Sequence, residues 1–184
     1  MARAPQLLAT MLLGLCAVAF AAGPADIWLD VPFVKQTDNG CGPASVAMVV
    51  QYWQSKPGGS TRVTSSVTEI ERALQPDAKQ GVRASAMQQY FTRNGYRAVA
   101  FAGVWADLER ELEQGRPLIA ALKPPGDNQL HYVVVAGVDD GSRVVLLNDP
   151  AQRKLLKEDR AQFEREWKAT QFWTLLAVPA VAAP

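Results

Sequence analysis

This chain of 184 residues has little cysteine and almost no histidine: two of the first and one of the second. Cys16 lies in the leading apolar segment, so Cys41 stands alone in the body of the chain, and no internal disulfide can form there. A single histidine, His131, rules out the His/Cys clusters that hold zinc. The pair Asp139 and Asp140 reads as turn chemistry, so neither a metal nor a cofactor is expected. An excess of either charge is also missing. The 19 basic and 18 acidic residues nearly balance. Without Arg3 of the leader they cancel, which excludes the long-range positive field that nucleic-acid binding needs. The longest apolar run, Leu7 to Phe20, is about 14 residues, short of a membrane span. The mature chain is therefore expected to carry no stable span. There are no repeats and no internal domain boundary.

What is there begins with a leader. Arg3 supplies a short positive region, Leu7 to Phe20 an apolar one, and Ala19-Phe20-Ala21 a small-x-small cleavage site. Residues 1–21 read as a signal peptide and 22–184 as one domain, with a core over about 30–178. The location implied is periplasmic or secreted. Leu13-Gly14-Leu15-Cys16 loosely resembles a lipobox, but Leu15 is large where a small residue is expected, so lipidation of Cys16 is the lesser reading.

Periodicity then sets the elements. Ile27 to Val34, interrupted by Pro32, suits an extended lead-in or edge strand. Cys41 to Gln54 is apolar nearly all round, which indicates a buried helix, with Pro43 placed in its first turn. Shorter helices are expected over 66–74, 83–94, 105–114 and 159–168, several stopped by glycine. Strands are expected over 96–101, 117–122, 130–138, 143–148 and 172–178. Helices come first and strands mostly follow. That order predicts an α+β fold in which an N-terminal helical half packs on a C-terminal antiparallel sheet. Lys56 to Thr64 and Lys123 to Gln129 read as loops.

Three residues carry chemistry. A thiol at a helix start is favoured as thiolate, its nucleophilic form. His131 opens an apolar strand, and Asp149 follows its partner strand. A three-residue loop at Asp139-Asp140-Gly141 would pair Val138 with Ser142. Stepping along that register brings His131 directly opposite Asp149, with β-carbons about 5 Å apart. An aspartate there would hold the imidazole in one orientation. A two-residue loop would put the two side chains on opposite faces. Asn148 is the next orienting candidate, and it faces away in the preferred register.

These segments resemble a known family. Gln36-x4-Cys41-Gly42-Pro43-Ala44-Ser45, leading into a helix that ends in Tyr52-Trp53, is similar to the nucleophile segment of the C39-like peptidases of the papain-like superfamily. Leu130-His131-Tyr132-Val133 through Val138 resembles the histidine strand, Asn148-Asp149-Pro150 the Asp-Pro segment, and Phe163-x3-Trp167 the C-terminal helix. The resemblance spans about Asp30 to Val178. It implies a papain-like fold and a thiol peptidase with Cys41 as nucleophile, His131 as base and acid, Asp149 as orienting group and Gln36 as oxyanion-hole donor. Many members are fused to exporters and remove leaders after a Gly-Gly pair. This chain has no ATPase motif and its own leader, which leaves open whether that specificity applies to it. Exported members standing alone resemble accessory proteins of secretion systems. The expected partner is a peptide or protein substrate, with secretion-system components as further candidates. The rival functions are a non-catalytic peptide-binding module and an amidase or acyl transferase acting on a non-protein amide.

Overall fold

The computed structural model describes residues 26–38, 40–57, 63–77 and 81–180. The expected leader, its Cys16 and the expected cleavage site lie outside the described residues, as do most of the loop after Lys56 and the last four positions. The elements run β1 (Asp26–Trp28), α1 (Cys41–Gln54), α2 (Val67–Leu74), α3 (Ala84–Arg93), β2 (Tyr96–Ala102), α4 (Trp105–Glu113), β3 (Leu118–Leu122), β4 (His131–Asp139), β5 (Val144–Asn148), β6 (Leu156–Asp159), α5 (Arg160–Lys168) and β7 (Trp173–Pro179). Among the described residues, no helix is long and apolar enough to cross a membrane.

The strands form one antiparallel sheet in the order β2-β7-β3-β4-β5-β6, and β1 adds to β4. Helices cover both faces. On one, Val46, Val50, Met87 and Phe91 pack with Tyr132, Val134 and Ala136. On the other, Leu108, Leu112, Phe163 and Trp167 pack with Val133, Val135 and Leu147. This makes β4 buried on both sides, which is why its sequence is almost continuously apolar. The fold is α+β as expected, with α1 packed on the sheet; the refinement is that α4 and α5 cover its far face.

Burying each large aliphatic or aromatic side chain contributes roughly 1.5–3 kcal/mol. Polar tips then fix α1 in place. Tyr52 donates its hydroxyl to the Gly115 carbonyl at 2.7 Å, and Trp53 Nε1 donates to the Ala177 carbonyl at 2.9 Å.

Packing on the far face leaves no slack at Gly103. A β-carbon there would lie 2.7 Å from Trp167 Cζ2 and 2.8 Å from Thr174 Oγ1. Gly103→Ala is expected to lower the unfolding free energy by about 2 kcal/mol. A urea midpoint equal to that of the parent protein would show that the Trp167 ring moves aside freely.

The β4–β5 register departs from expectation. The connection has four residues, 140–143, so Val138 faces Val145 and not Ser142. Asp139 Oδ1 accepts from Ser142 N–H at 2.7 Å, and Arg143 takes a left-handed φ of 54°. Ala136 is then an extra residue, and beyond it Val135 faces Leu147 and Val134 faces Asn148. The bulge decides the faces. Without it, Asp149 would fall in line with Val134, away from His131. With it, Asp149 follows on the side of Val133 and His131. The two are therefore diagonal neighbours at the strand ends, not a directly opposed pair.

Candidate active site

Every residue singled out for chemistry opens on one cleft of about 320 Å³, lined among others by Gln36, Cys41, Val82, His131 and Asp149. Cys41 is the first residue of α1. Gly40 caps that helix with no side-chain hydrogen bond, and Pro43 contributes no N–H to the first turn. Gly42 is closely packed: a β-carbon there would lie 3.0 Å from Val82 Cβ and 3.4 Å from Met87 Sδ. Gly40 is constrained in the same way, since its β-carbon would meet the Thr37 carbonyl oxygen at 2.7 Å. Both glycines thus answer to their own chain.

His131 opens β4 and is tied to Asp149 by a hydrogen bond of 2.8 Å between Nε2 and Oδ1. Its other nitrogen, Nδ1, is not used by Asp149, and Cys41 lines the same cleft, near enough to act on the imidazole. Asp149 is 4% exposed, yet well supplied with donors. Ala151 N–H donates to Oδ1 at 2.8 Å and Gln152 Nε2 to Oδ2 at 2.7 Å. Gln152 was not singled out in the sequence; the signal for it is the tight turn that Asp149-Pro150 opens.

Electrostatics favour a charged pair. Burial alone would lower His131. The Asp149 and Cys41 hydrogen bonds and charges outweigh it and push the imidazole up to about 10 from an ordinary 6.5. Burial likewise works against the Asp149 carboxylate, but the His131 hydrogen bond and charge, with Ala151 and Gln152, hold it below its ordinary 3.8. The signs give a pH window. The His131 contribution to stability is complete below about 6.5 and is lost as pH rises through about 10. The Asp149 contribution is present above 3.8 and is lost as pH falls below it. The urea midpoint is therefore expected to drop from pH 7 to pH 10 in the parent protein. His131→Ala should flatten that slope, and an equal slope in both would contradict the pairing.

Farther back, Glu158 on β6 is pushed up to about 7, first by burial and then by the charges of Glu166, Asp149 and Asp159.

Gln36 lies in the extended lead-in, with its N–H bonded to the Pro150 carbonyl at 2.9 Å. Its Nε2 donates to the Asp38 carbonyl at 2.6 Å, and its Oε1 is buried without a partner. One of the two amide N–H groups is therefore engaged and the second is not needed there.

Asn148 faces away from His131. It donates to the Val31 carbonyl at 3.0 Å and accepts from Leu155 N–H at 3.0 Å. Among the described residues, no cluster of three or more His, Cys, Asp or Glu is placed to hold a metal ion.

A family model described as the Peptidase_C39 like family matches residues 28–174. A Bacillus anthracis protein described as a C39-like peptidase superposes with a TM-score of 0.68 at 20% identity, covering 84% of this chain and 98% of its own. The peptidase domain of Streptococcus ComA, a bi-functional ABC transporter involved in quorum sensing, reaches 0.61 at 21%, covering 79% and 96%. A double glycine motif protease from an AMS/PCAT transporter, in complex with its leader peptide, reaches 0.61 at 19%, covering 84% and 98%. At these identities the superpositions establish the fold. A comparison with curated proteins finds no match.

Proposed function

The chain belongs to the C39-like peptidase family, and from that premise we propose that it is a periplasmic thiol peptidase acting through Cys41, His131 and Asp149. One observation carries the reading. His131 is held by Asp149 at 2.8 Å through Nε2 and lines the same cleft as Cys41, which helps to raise the imidazole. A satisfied core histidine has no use for a thiol at a helix start.

The chemistry follows from those positions. The Cys41 thiolate attacks the carbonyl carbon of the scissile peptide, and the oxygen gains the negative charge. The second Gln36 amide N–H and the Cys41 backbone N–H are the donors for that oxygen. The His131 imidazolium gives its Nδ1 proton to the departing amine, the C–N bond breaks, and a thioester remains on Cys41. Neutral His131 then takes a proton from water, whose oxygen attacks the thioester. The acid is released and the thiolate and imidazolium are restored. Asp149 stays ionised throughout and keeps Nε2–H directed at itself.

The substrate is a peptide segment that reaches the cleft in extended form. A neighbouring protease of the same fold holds a leader peptide, which supports a peptide of this kind. The leader read at residues 1–21 supports a periplasmic location, and a secretion-system substrate would be a fitting client there.

The test is a periplasmic extract treated with the mature protein or with Cys41→Ala, followed by mass spectrometry of new peptide N-termini. New termini are expected only with the parent protein. Identical termini in both samples would end the peptidase reading.

A further inference from the structure

We propose that Asp127 and Leu130 form a specificity pocket for a lysine or arginine side chain of the substrate. This rests on the reading of the cleft as a peptidase site and names the class of residue it selects. The charged side chains lining the cleft are Asp127, His131 and Asp149. His131 and Asp149 offset one another through their hydrogen bond. Among the described residues, that leaves the Asp127 carboxylate as the uncompensated charge of the lining, in a cleft whose nucleophile also acts as an anion.

The geometry of the loop sharpens a general negative potential into a particular ligand. Asp127 Oδ1 accepts from Gln129 N–H at 2.9 Å. That bond uses one acceptor site of Oδ1 and leaves the rest of the carboxylate able to accept from an incoming donor. Pro124 and Leu130 of the same loop also line the cleft. Leu130 is 47% exposed, one of the few large apolar side chains left open to solvent among the described residues. An apolar surface beside a carboxylate fits a side chain with a long methylene stem and a cationic head. A short cation would leave Leu130 wet, and an aliphatic side chain would leave the Asp127 charge unmatched. An acidic side chain would be repelled by both Asp127 and the thiolate.

Cys41 is the only cysteine after the leader, so its modification reads the cleft directly. The probes are aminohexyl, hexyl and carboxypentyl methanethiosulfonate, which share a stem and differ in charge. Each rate is normalised to the rate with free cysteine. In the parent protein the aminohexyl reagent is expected to outpace the carboxypentyl reagent by about tenfold, and Asp127→Asn should cut that ratio by about fivefold. Leu130→Ser should slow the aminohexyl and hexyl reagents equally and leave their ratio in place. Glu113→Gln, an exposed acid outside the cleft, should change neither. An unchanged charge ratio in Asp127→Asn overturns the proposal, as does a parent protein that shows no preference for the cationic reagent. Failure of the peptidase reading shows differently: the hexyl reagent would react at Cys41 no faster than with free cysteine, while the ratio between charged reagents would still decide the role of Asp127.

Discussion

His131→Ala is expected to slow iodoacetamide alkylation of Cys41 at pH 6 by about 100-fold, and to remove detectable peptide cleavage. An ordinary thiol is roughly 0.3% thiolate at that pH, so loss of the partner that stabilises the anion returns the rate toward that of free cysteine. The size of the effect comes from the charge on His131, since Asp149 and Cys41 together push the imidazole up to about 10. Asp149→Asn separates the contributions. It removes the carboxylate charge but keeps an oxygen that can accept from Nε2. The alkylation rate should fall by about tenfold and the profile should shift, because the imidazolium is held less strongly. Alkylation of His131→Ala at the parent rate at pH 6 would mean that Cys41 owes its reactivity to something other than the histidine. The helix start alone would then be the remaining source.

Asn148→Ala is expected to destabilise the fold by about 3–4 kcal/mol, more than a surface substitution or a single lost hydrogen bond would. The residue is fully buried. Its Nδ2 donates to the Val31 carbonyl at 3.0 Å and reaches the Pro32 carbonyl at 3.4 Å, while Oδ1 accepts from Leu155 N–H at 3.0 Å. Alanine leaves buried backbone groups unpaired on two segments. One leads to Gln36 and the other contains Asp149, so cleavage should fall along with stability. Asn148→Asp keeps the acceptor but sets a buried carboxylate against the Val31 and Pro32 carbonyl oxygens, and is expected to destabilise at least as much as alanine. Denaturant unfolding with a loss below about 1 kcal/mol would show that water replaces the amide, and that the two segments are held from elsewhere.

The helices were legible because each has a local signal. Cys41 to Gln54 is apolar on all sides, and Gly95 and Gly115 mark ends where the backbone takes φ of 82° and 70°. The cysteine, the histidine and the aspartate were legible because so few residues of their kind compete with them. Strand β6 was not seen. Leu156-Lys157-Glu158-Asp159 is short and mostly charged, as an edge strand can be, and only its ladder with β5 reveals it. The hairpin register was misread for a physical reason. Gly141 was given the left-handed position that Arg143 in fact occupies, at φ 54°. An arginine there carries no local mark. The bulge at Ala136 was invisible for the same reason, since its cause is tertiary. Leu29 N–H bonds the Ala136 carbonyl at 2.7 Å, and β1 crosses so close to Gly137 that a β-carbon there would lie 2.5 Å from the Ile27 carbonyl oxygen. The cleft wall at Gly81 and Val82 also had no signal in the sequence, because it comes from packing some forty positions away from Cys41.

The extra residue at Ala136 and the four-residue connection after Asp139 form a matched pair. Each alone inverts the side of the sheet on which Asp149 falls, and together they cancel. The lengths of these two segments are therefore not free to drift independently. A one-codon deletion at the bulge would move the aspartate to the wrong side while leaving every residue type in place. The same deletion joined to a one-codon change in the connection would restore it. Relatives that shorten one segment are expected to adjust the other, so the phase of this hairpin is inherited as a sum of two lengths.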